Sequence, residues 1–227
     1  MKIAIDEEGN KFILRGEVHT HHGVIRESDV QDNSVISNTG YKFKVVEASY
    51  TDLLEFIKRG PQIITLKDAS LIASYLNLKP DYTVVDVGTG SGALAIHLAL
   101  HVPNGKVVTY EKREDFAKIA KRNFELFEIK NIELKIKDAT EGIDEEADAM
   151  SVDIPEPWKL SFDKLKYGRY ACIYLPTAEQ VIKFRDSTDL HIEKIIEVKE
   201  RQYKVKPFRP VNTQLDFTAY IIVARKI

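Results

Sequence analysis

The sequence predicts an α/β chain in two parts. A small antiparallel β module occupies residues 1–60, and a larger Rossmann-like domain, residues 61–227, carries a seven-stranded, mostly parallel sheet. Three observations carry this reading. From Thr83 onward, short apolar runs alternate with helix-length amphipathic stretches, the pattern of parallel strands joined by helical crossovers. Before Thr51 the runs are short, alternate apolar with polar residues and are divided by turn signals. Near the end, two long stretches rich in Ile, Val, Tyr and Lys have no helix between them, as in an antiparallel pair at a sheet edge.

Within the first part, Lys11-Phe12-Ile13-Leu14 and Tyr41-Lys42-Phe43-Lys44-Val45-Val46 read as strands. Gly9-Asn10, His22-Gly23 and Asn38-Thr39-Gly40 read as turns. Thr51 opens a short helix with Leu53, Leu54 and Ile57 on one face, stopped by Gly60-Pro61. A second helix spans about Asp68 to Leu76, with Leu71, Ile72, Tyr75 and Leu76 inward. Strands are then expected at 83–87, 106–110, 132–137, 149–153, 169–175, 192–204 and 217–224, and helices at 91–101, 114–127 and 177–186.

Bulk properties narrow the function classes. No apolar run is long enough to span a bilayer and the first residues contain no signal-peptide core, so a cytoplasmic location is expected, with no membrane partner. The single cysteine, Cys172, sits in the apolar run Tyr170-Ala171-Cys172-Ile173-Tyr174 and reads as a buried strand thiol. A net charge of −2 gives no global basic footprint, so contact with a nucleic acid must be local. Lys194, Lys199, Arg201, Lys204, Lys206 and Arg209, with Tyr203 and Phe208 among them, form the one such stretch, diluted by Glu197 and Glu200.

The chemistry concentrates after the first strand of the large domain. Thr83-Val84-Val85-Asp86-Val87 runs into Gly88-Thr89-Gly90-Ser91-Gly92, and a helix pattern begins at once. Strand, glycine turn and helix start let backbone approach a nucleotide-like cofactor. The spacing is G-x-G-x-G, with Ala93 following, rather than the G-x-G-x-x-G of dinucleotide sites. Asp86 would repel a diphosphate and suits an ammonium-bearing ligand, which favours S-adenosyl-L-methionine. Glu111 closes the next strand, where it can accept ribose hydroxyls. Asp138, with Ala139 beside it, closes the third strand and is placed for the adenine, with a turn cap as its plainer role. Asp153 follows the fourth strand and opens Asp153-Ile154-Pro155-Glu156-Pro157-Trp158, a stiff loop against which a flat base can stack.

Taken together, several motifs resemble the tRNA (adenine-N1)-methyltransferase family that modifies the T-loop, with archaeal members the most similar. They are Arg59-Gly60-Pro61-Gln62-Ile63-Ile64, Lys67-Asp68-Ala69-Ser70, Val87 to Leu94, Tyr110-Glu111-Lys112-Arg113-Glu114-Asp115-Phe116, Asp153 to Trp158, and Tyr174-Leu175-Pro176 with Gln180-Val181. The resemblance spans nearly the whole chain and implies a class I S-adenosylmethionine-dependent methyltransferase fold. It implies methyl transfer to N1 of adenosine 58 of tRNA, with position 57 as a further target in archaeal relatives, by a homotetramer. It also makes Asp153 the catalytic carboxylate, adjoining the cofactor, and Tyr174 a wall of the base pocket. Thr65-Leu66 and Phe217-Thr218-Ala219 depart from the family's usual residues at those places.

Two other functions fit parts of the pattern: a corrin-type small-molecule methyltransferase, and a non-catalytic tRNA-binding paralogue. Three retained carboxylates, Asp86, Glu111 and Asp153, argue against the second. Among the histidines, His19, His21 and His22 cluster in one turn and His97 and His101 lie one helical turn apart. Neither set has a third ligand nearby in sequence, so surface or packing roles and no metal are expected.

Overall fold

Alternation of apolar and polar residues builds the N-terminal part as expected. In the computed structural model, which describes residues 1–58, 60, 63–211 and 217–227, the chain divides into two units, Met1–Phe56 and Ile57–Ile227. The first unit contains β1 (Lys2–Ile5), β2 (Lys11–Leu14), β3 (Glu17–Thr20), β4 (Gly23–Arg26), β5 (Ser34–Ile36) and β6 (Lys42–Glu47). All pairings are antiparallel, in a four-stranded sheet of order β2-β1-β6-β5 and a separate β3-β4 hairpin. One residue set per face, Ala4, Leu14, Ile25, Val35, Phe43 and Val45, forms its core. Helix α1 (Tyr50–Leu54) starts in a capping box: Ser49 accepts from the Asp52 amide, and the Asp52 carboxylate accepts from the Ser49 amide.

In the second unit, α2 (Leu66–Tyr75) precedes β7 (Thr83–Val87), α3 (Ala93–His101), β8 (Lys106–Glu111), α4 (Glu114–Leu126), β9 (Ile132–Ile136), β10 (Ala147–Val152), β11 (Leu165–Leu175), α5 (Ala178–Ser187), β12 (His191–Ile196), β13 (Tyr203–Lys204), β14 (Arg209–Pro210) and β15 (Tyr220–Arg225). The main sheet has the order β12-β15-β11-β10-β7-β8-β9. Its five strands β11, β10, β7, β8 and β9 are parallel, and β15 runs antiparallel between β11 and β12. Seven strands in this order are the class I methyltransferase sheet. Both faces of the central strands β7, β8 and β10 are buried, which is why they read as apolar runs, whereas the edge strands β9 and β12 are partly exposed and carry charged residues. Order reverses beside β7, so ligands are expected past the carboxyl ends of β7, β8 and β10.

Three expectations shift. The strand expected over 192–204 stops at Ile196, where its last partner on β15 is Ile221. Beyond it, Glu197, Lys199, Glu200 and Arg201 are exposed and offer nothing apolar to bury, so only the two-residue β13 pairs again, with β14. The helix expected from 91 starts at Ala93, because Gly92 takes φ +82 at its cap. The last strand starts at Tyr220 rather than 217. Of the motif at 59–64, Arg59, Pro61 and Gln62 lie outside the described residues. Among the described residues, no helix is long and apolar enough to cross a membrane.

Candidate active site

Register, rather than any one motif, assembles the floor of the site. Asp86 on β7 pairs with Ser151 on β10 and with Thr109 on β8, so three polar side chains form a row across the buried sheet. The Ser151 hydroxyl donates to Asp86 Oδ1 at 2.5 Å and the Thr109 hydroxyl donates to Oδ2 at 2.7 Å. Having spent its proton there, Thr109 accepts from the Thr89 hydroxyl at 2.6 Å. A hydroxyl chain thus ties the glycine turn to a carboxylate beneath it. Burial, helped by the neighbouring Glu111, pushes the Asp86 carboxyl up to about 6.

The turn itself is stitched to both neighbouring strands. Gly88 and Thr89 amides donate to the Tyr110 carbonyl at 3.0 and 3.2 Å, and the Asp153 amide donates to the Val87 carbonyl at 2.8 Å. Gly88, at φ +96, leaves no room for a side chain: a Cβ would lie 2.1 Å from the Asp153 carbonyl oxygen. Glu111 is buried and its two oxygens accept the amides of Gly90, at 2.9 Å, and Arg113, at 3.0 Å. A carboxylate has about four acceptor positions, so Glu111 keeps capacity for hydroxyl donors. Asn123 of α4, also buried, donates to the Ser91 carbonyl at 2.7 Å and clasps Lys58 through both main-chain groups. Only its burial on the apolar face of an amphipathic helix hints at this role in the sequence.

Asp138 sits where its plainer reading puts it, capping the turn Ala139–Glu141 by accepting from the Thr140 amide and hydroxyl at 3.0 and 2.7 Å. Those bonds, with Lys112 nearby, hold its carboxyl below the usual range. Ala139 behind it is buried.

Asp153 differs from every other carboxylate here. Its side chain accepts no hydrogen bond from the described residues, and burial together with the charge of Asp86 pushes it up to about 7. The loop it opens is braced by Gln180, whose amide donates to the Pro155 carbonyl at 2.9 Å. Trp158 instead lines a concavity with Leu160, Phe162, Phe184 and Leu190, and Lys183 lies over its ring at 4.1 Å. That lining includes neither Asp153 nor Tyr174.

Tyr174, at the end of β11, is buried and donates to Asp68 Oδ2 at 3.0 Å. The same oxygen accepts the hydroxyls of Thr218, at 2.7 Å, and Thr65, at 3.0 Å. Lys67 directs its three ammonium protons to Asp68 Oδ1 at 2.8 Å, to Thr218 Oγ1 at 2.7 Å and to the Val198 carbonyl at 2.9 Å. The Lys67-Asp68 motif is therefore a saturated buried cluster, and Thr65, which stands where many relatives have an aromatic residue or His, belongs to it with Thr218. Burial, with the charges of Asp68 and Asp153 adding to it, raises the Tyr174 hydroxyl well above its ordinary value, so it keeps its proton at neutral pH and donates it to Asp68. Tyr174→Phe leaves Asp68 with its other three partners. It is expected to lower stability by about 1 kcal/mol in thermal unfolding, with a smaller effect on methyl transfer than loss of Asp153.

His97 and His101 have ring centroids 4.7 Å apart, and burial pushes His97 down to about 4, keeping it neutral. Burial also drives the Cys172 thiol far above its ordinary value, which leaves it unreactive.

Comparison with known proteins agrees with this geometry. Residues 54–222 match the family model described as tRNA methyltransferase complex GCD14 subunit. The tRNA (adenine(57)-N(1)/adenine(58)-N(1))-methyltransferase TrmI of Methanocaldococcus jannaschii is 32% identical over 99% of this chain and 94% of its own length. Among solved structures, a SAM-dependent O-methyltransferase from Thermotoga maritima superposes with a TM-score of 0.85 at 32% identity, covering 100% of this chain and 92% of that one. The tRNA (m1A58) methyltransferase TrmI of Aquifex aeolicus gives a TM-score of 0.79 at 30% identity, covering 100% and 96%. The glycine turn and the carboxylates at the strand ends lie inside the matched region, which reaches into the last strand, and the chain belongs to the family of the tRNA methyltransferase complex GCD14 subunit.

Proposed function

We propose that this chain transfers a methyl group from S-adenosyl-L-methionine to N1 of an adenosine in the tRNA T-loop, position 58 and, as in the archaeal relative's name, position 57. The observation that carries the reading is the Asp86–Asp153 pair: two carboxyls raised by burial and by charge, beside a glycine turn that admits only backbone. Such a pair of carboxyls favours a cationic ligand. A sulfonium and an ammonium group supply that charge, whereas a diphosphate would add repulsion.

The residues present fit the cofactor. Gly88, Thr89, Gly90, Ser91 and Gly92 would let main chain approach it, Glu111 has acceptor capacity for ribose hydroxyls, and Asp138 and Ala139 would hold its adenine. Asp86 and Asp153 would supply negative charge toward its positive end. When bound, the cofactor supplies an electrophilic methyl group on sulfur. N1 of neutral adenine is already a nucleophile, so the chain's task is alignment and desolvation. Asp153, ionised, accepts from the exocyclic amine of the base and offsets the positive charge that the ring acquires as N1 is alkylated. Tyr174, fixed by Asp68, gives the base pocket a rigid wall. A flipped base pays its unstacking cost against such walls.

Cytoplasmic location and assembly as a homotetramer are part of the same reading; sedimentation of the purified chain tests the second. The decisive assay incubates the protein with labelled S-adenosylmethionine and unmodified tRNA, then maps the product by nuclease digestion and mass spectrometry. N1-methyladenosine in the T-loop is expected. Cofactor binding without transfer to tRNA would overturn the reading, in favour of a small-molecule substrate or a non-catalytic tRNA-binding subunit.

A further inference from the structure

The first unit holds a cluster that methyl transfer does not use. Asp6 directly follows β1, and His21 and His22 form the β3-β4 turn, so residues distant in sequence are brought together by the fold. Their ligand atoms lie within 4.8 Å of one another. Asp6 is anchored from behind: Oδ1 accepts the amides of Glu8 and Asn10 at 2.9 and 2.8 Å, and Oδ2 accepts the Asn10 side-chain amide at 2.8 Å. Its Oδ2 faces His21 Nε2 at 3.3 Å. His22 stacks on Tyr41, with centroids 3.7 Å apart and planes 6° from parallel, and its Nε2 is buried without a hydrogen-bond partner. A buried imidazole nitrogen in that state is costly unless something occupies it.

We infer that Asp6, His21 and His22 form a binding site for a divalent metal ion of the zinc class. Two imidazole nitrogens and one carboxylate oxygen are a donor set zinc takes readily, with a fourth position left for water. Tetrahedral bonds to such ligands set neighbouring donor atoms about 3.4 Å apart. The His21–Asp6 separation of 3.3 Å already meets that spacing, and a shift of His22 on the order of 1 Å along the Tyr41 face brings in the third donor. The hydrogen bonds behind Asp6 supply the outer-shell support that metal ligands ordinarily have. His21 is half exposed, which gives the ion and its water access. The ion would bridge the end of β1 to the separate β3-β4 hairpin, in a unit of short strands with a small apolar core. Small units of that kind gain most from such a staple. The sequence shows the histidine turn but not its third ligand, because only the fold delivers Asp6.

Chelator-treated full-length protein, titrated with Zn²⁺ by calorimetry and with Co²⁺ by visible absorption, tests the site. One equivalent per chain is expected, with a tetrahedral cobalt spectrum and slower hydrogen exchange in the β3-β4 hairpin when metal is present. His21→Gln and His22→Gln, each checked for an unchanged circular dichroism spectrum, should weaken binding at least roughly tenfold. His19→Gln, at an exposed position on the same hairpin, should leave it unchanged. No saturable binding, or equal affinity in the wild type and His22→Gln, would overturn the assignment.

Discussion

Asp153→Asn is expected to make the protein more stable and nearly inactive at once. In the folded chain the Asp153 carboxyl is raised to about 7 from the ordinary 3.8, by burial first and by Asp86 second. The sign follows from linkage. Below about pH 4 the group is neutral folded and unfolded, and the charged form costs nothing. As pH rises toward 7 the unfolded chain releases this proton while the folded chain still holds it, so stability is lost across that window. Asparagine removes the charge, and above pH 7 the variant should gain on the order of 2 kcal/mol, the full conversion being reduced because Asp153 is partly exposed. Methyl transfer should fall by about 10²- to 10⁴-fold, since Asp153 is the group proposed to offset charge on the base. Thermal unfolding at pH 5 and pH 8, beside single-turnover transfer, reads both effects. An active variant, or one no more stable at pH 8, would remove Asp153 from the mechanism.

The same group sets a pH profile. Wild-type kcat/KM should rise through an apparent value near 7 as the carboxylate forms, and the rise should be absent in Asp153→Asn. Asp86, raised to about 6, titrates with it, so the profile belongs to the pair.

The sheet was legible because each central strand is buried on both faces and bracketed by Gly, Asp or Glu. Residues 83–87 and 106–110 could hardly be anything else. Asp86, Glu111 and Asp153 were visible because a charge that ends an apolar run needs a reason. The floor beneath them was not. Thr109 and Ser151 are unremarkable in their strands, and become partners of Asp86 only through the register of three strands. Asp68 was visible as part of a motif without a role, because Tyr174 and Thr218 reach it from more than 100 residues away. The edge misled for the opposite reason. Lys-, Ile- and Val-rich sequence continues past Ile196, but a strand needs a neighbour, and β15 ends its pairing there.

Gly88→Ala should carry a large cost. Two penalties act at that position. An L-residue at φ +96 is strained, at roughly 1–3 kcal/mol. Its Cβ would also stand 2.1 Å from the Asp153 carbonyl oxygen, 2.9 Å from the carbonyl carbon and 3.2 Å from Ile154 Cγ2, and the first two are backbone that cannot rotate away. Relief requires the β7 and β10 ends to part, which breaks the Asp153 amide bond to Val87 and displaces the Asp153 carboxylate, the proposed catalytic group. A total loss on the order of 4 kcal/mol is expected, with cofactor binding weakened at least roughly 100-fold. Gly168→Ala separates the two penalties, because Gly168 has φ +79 but no atom within 4 Å of a Cβ. It should lose only the conformational part, about 1 kcal/mol, and keep its transfer activity. Denaturant unfolding and cofactor titration of both variants give the comparison. Equal losses would mean that backbone strain alone explains the glycine and that close approach of the Asp153 loop does not hold the turn in place.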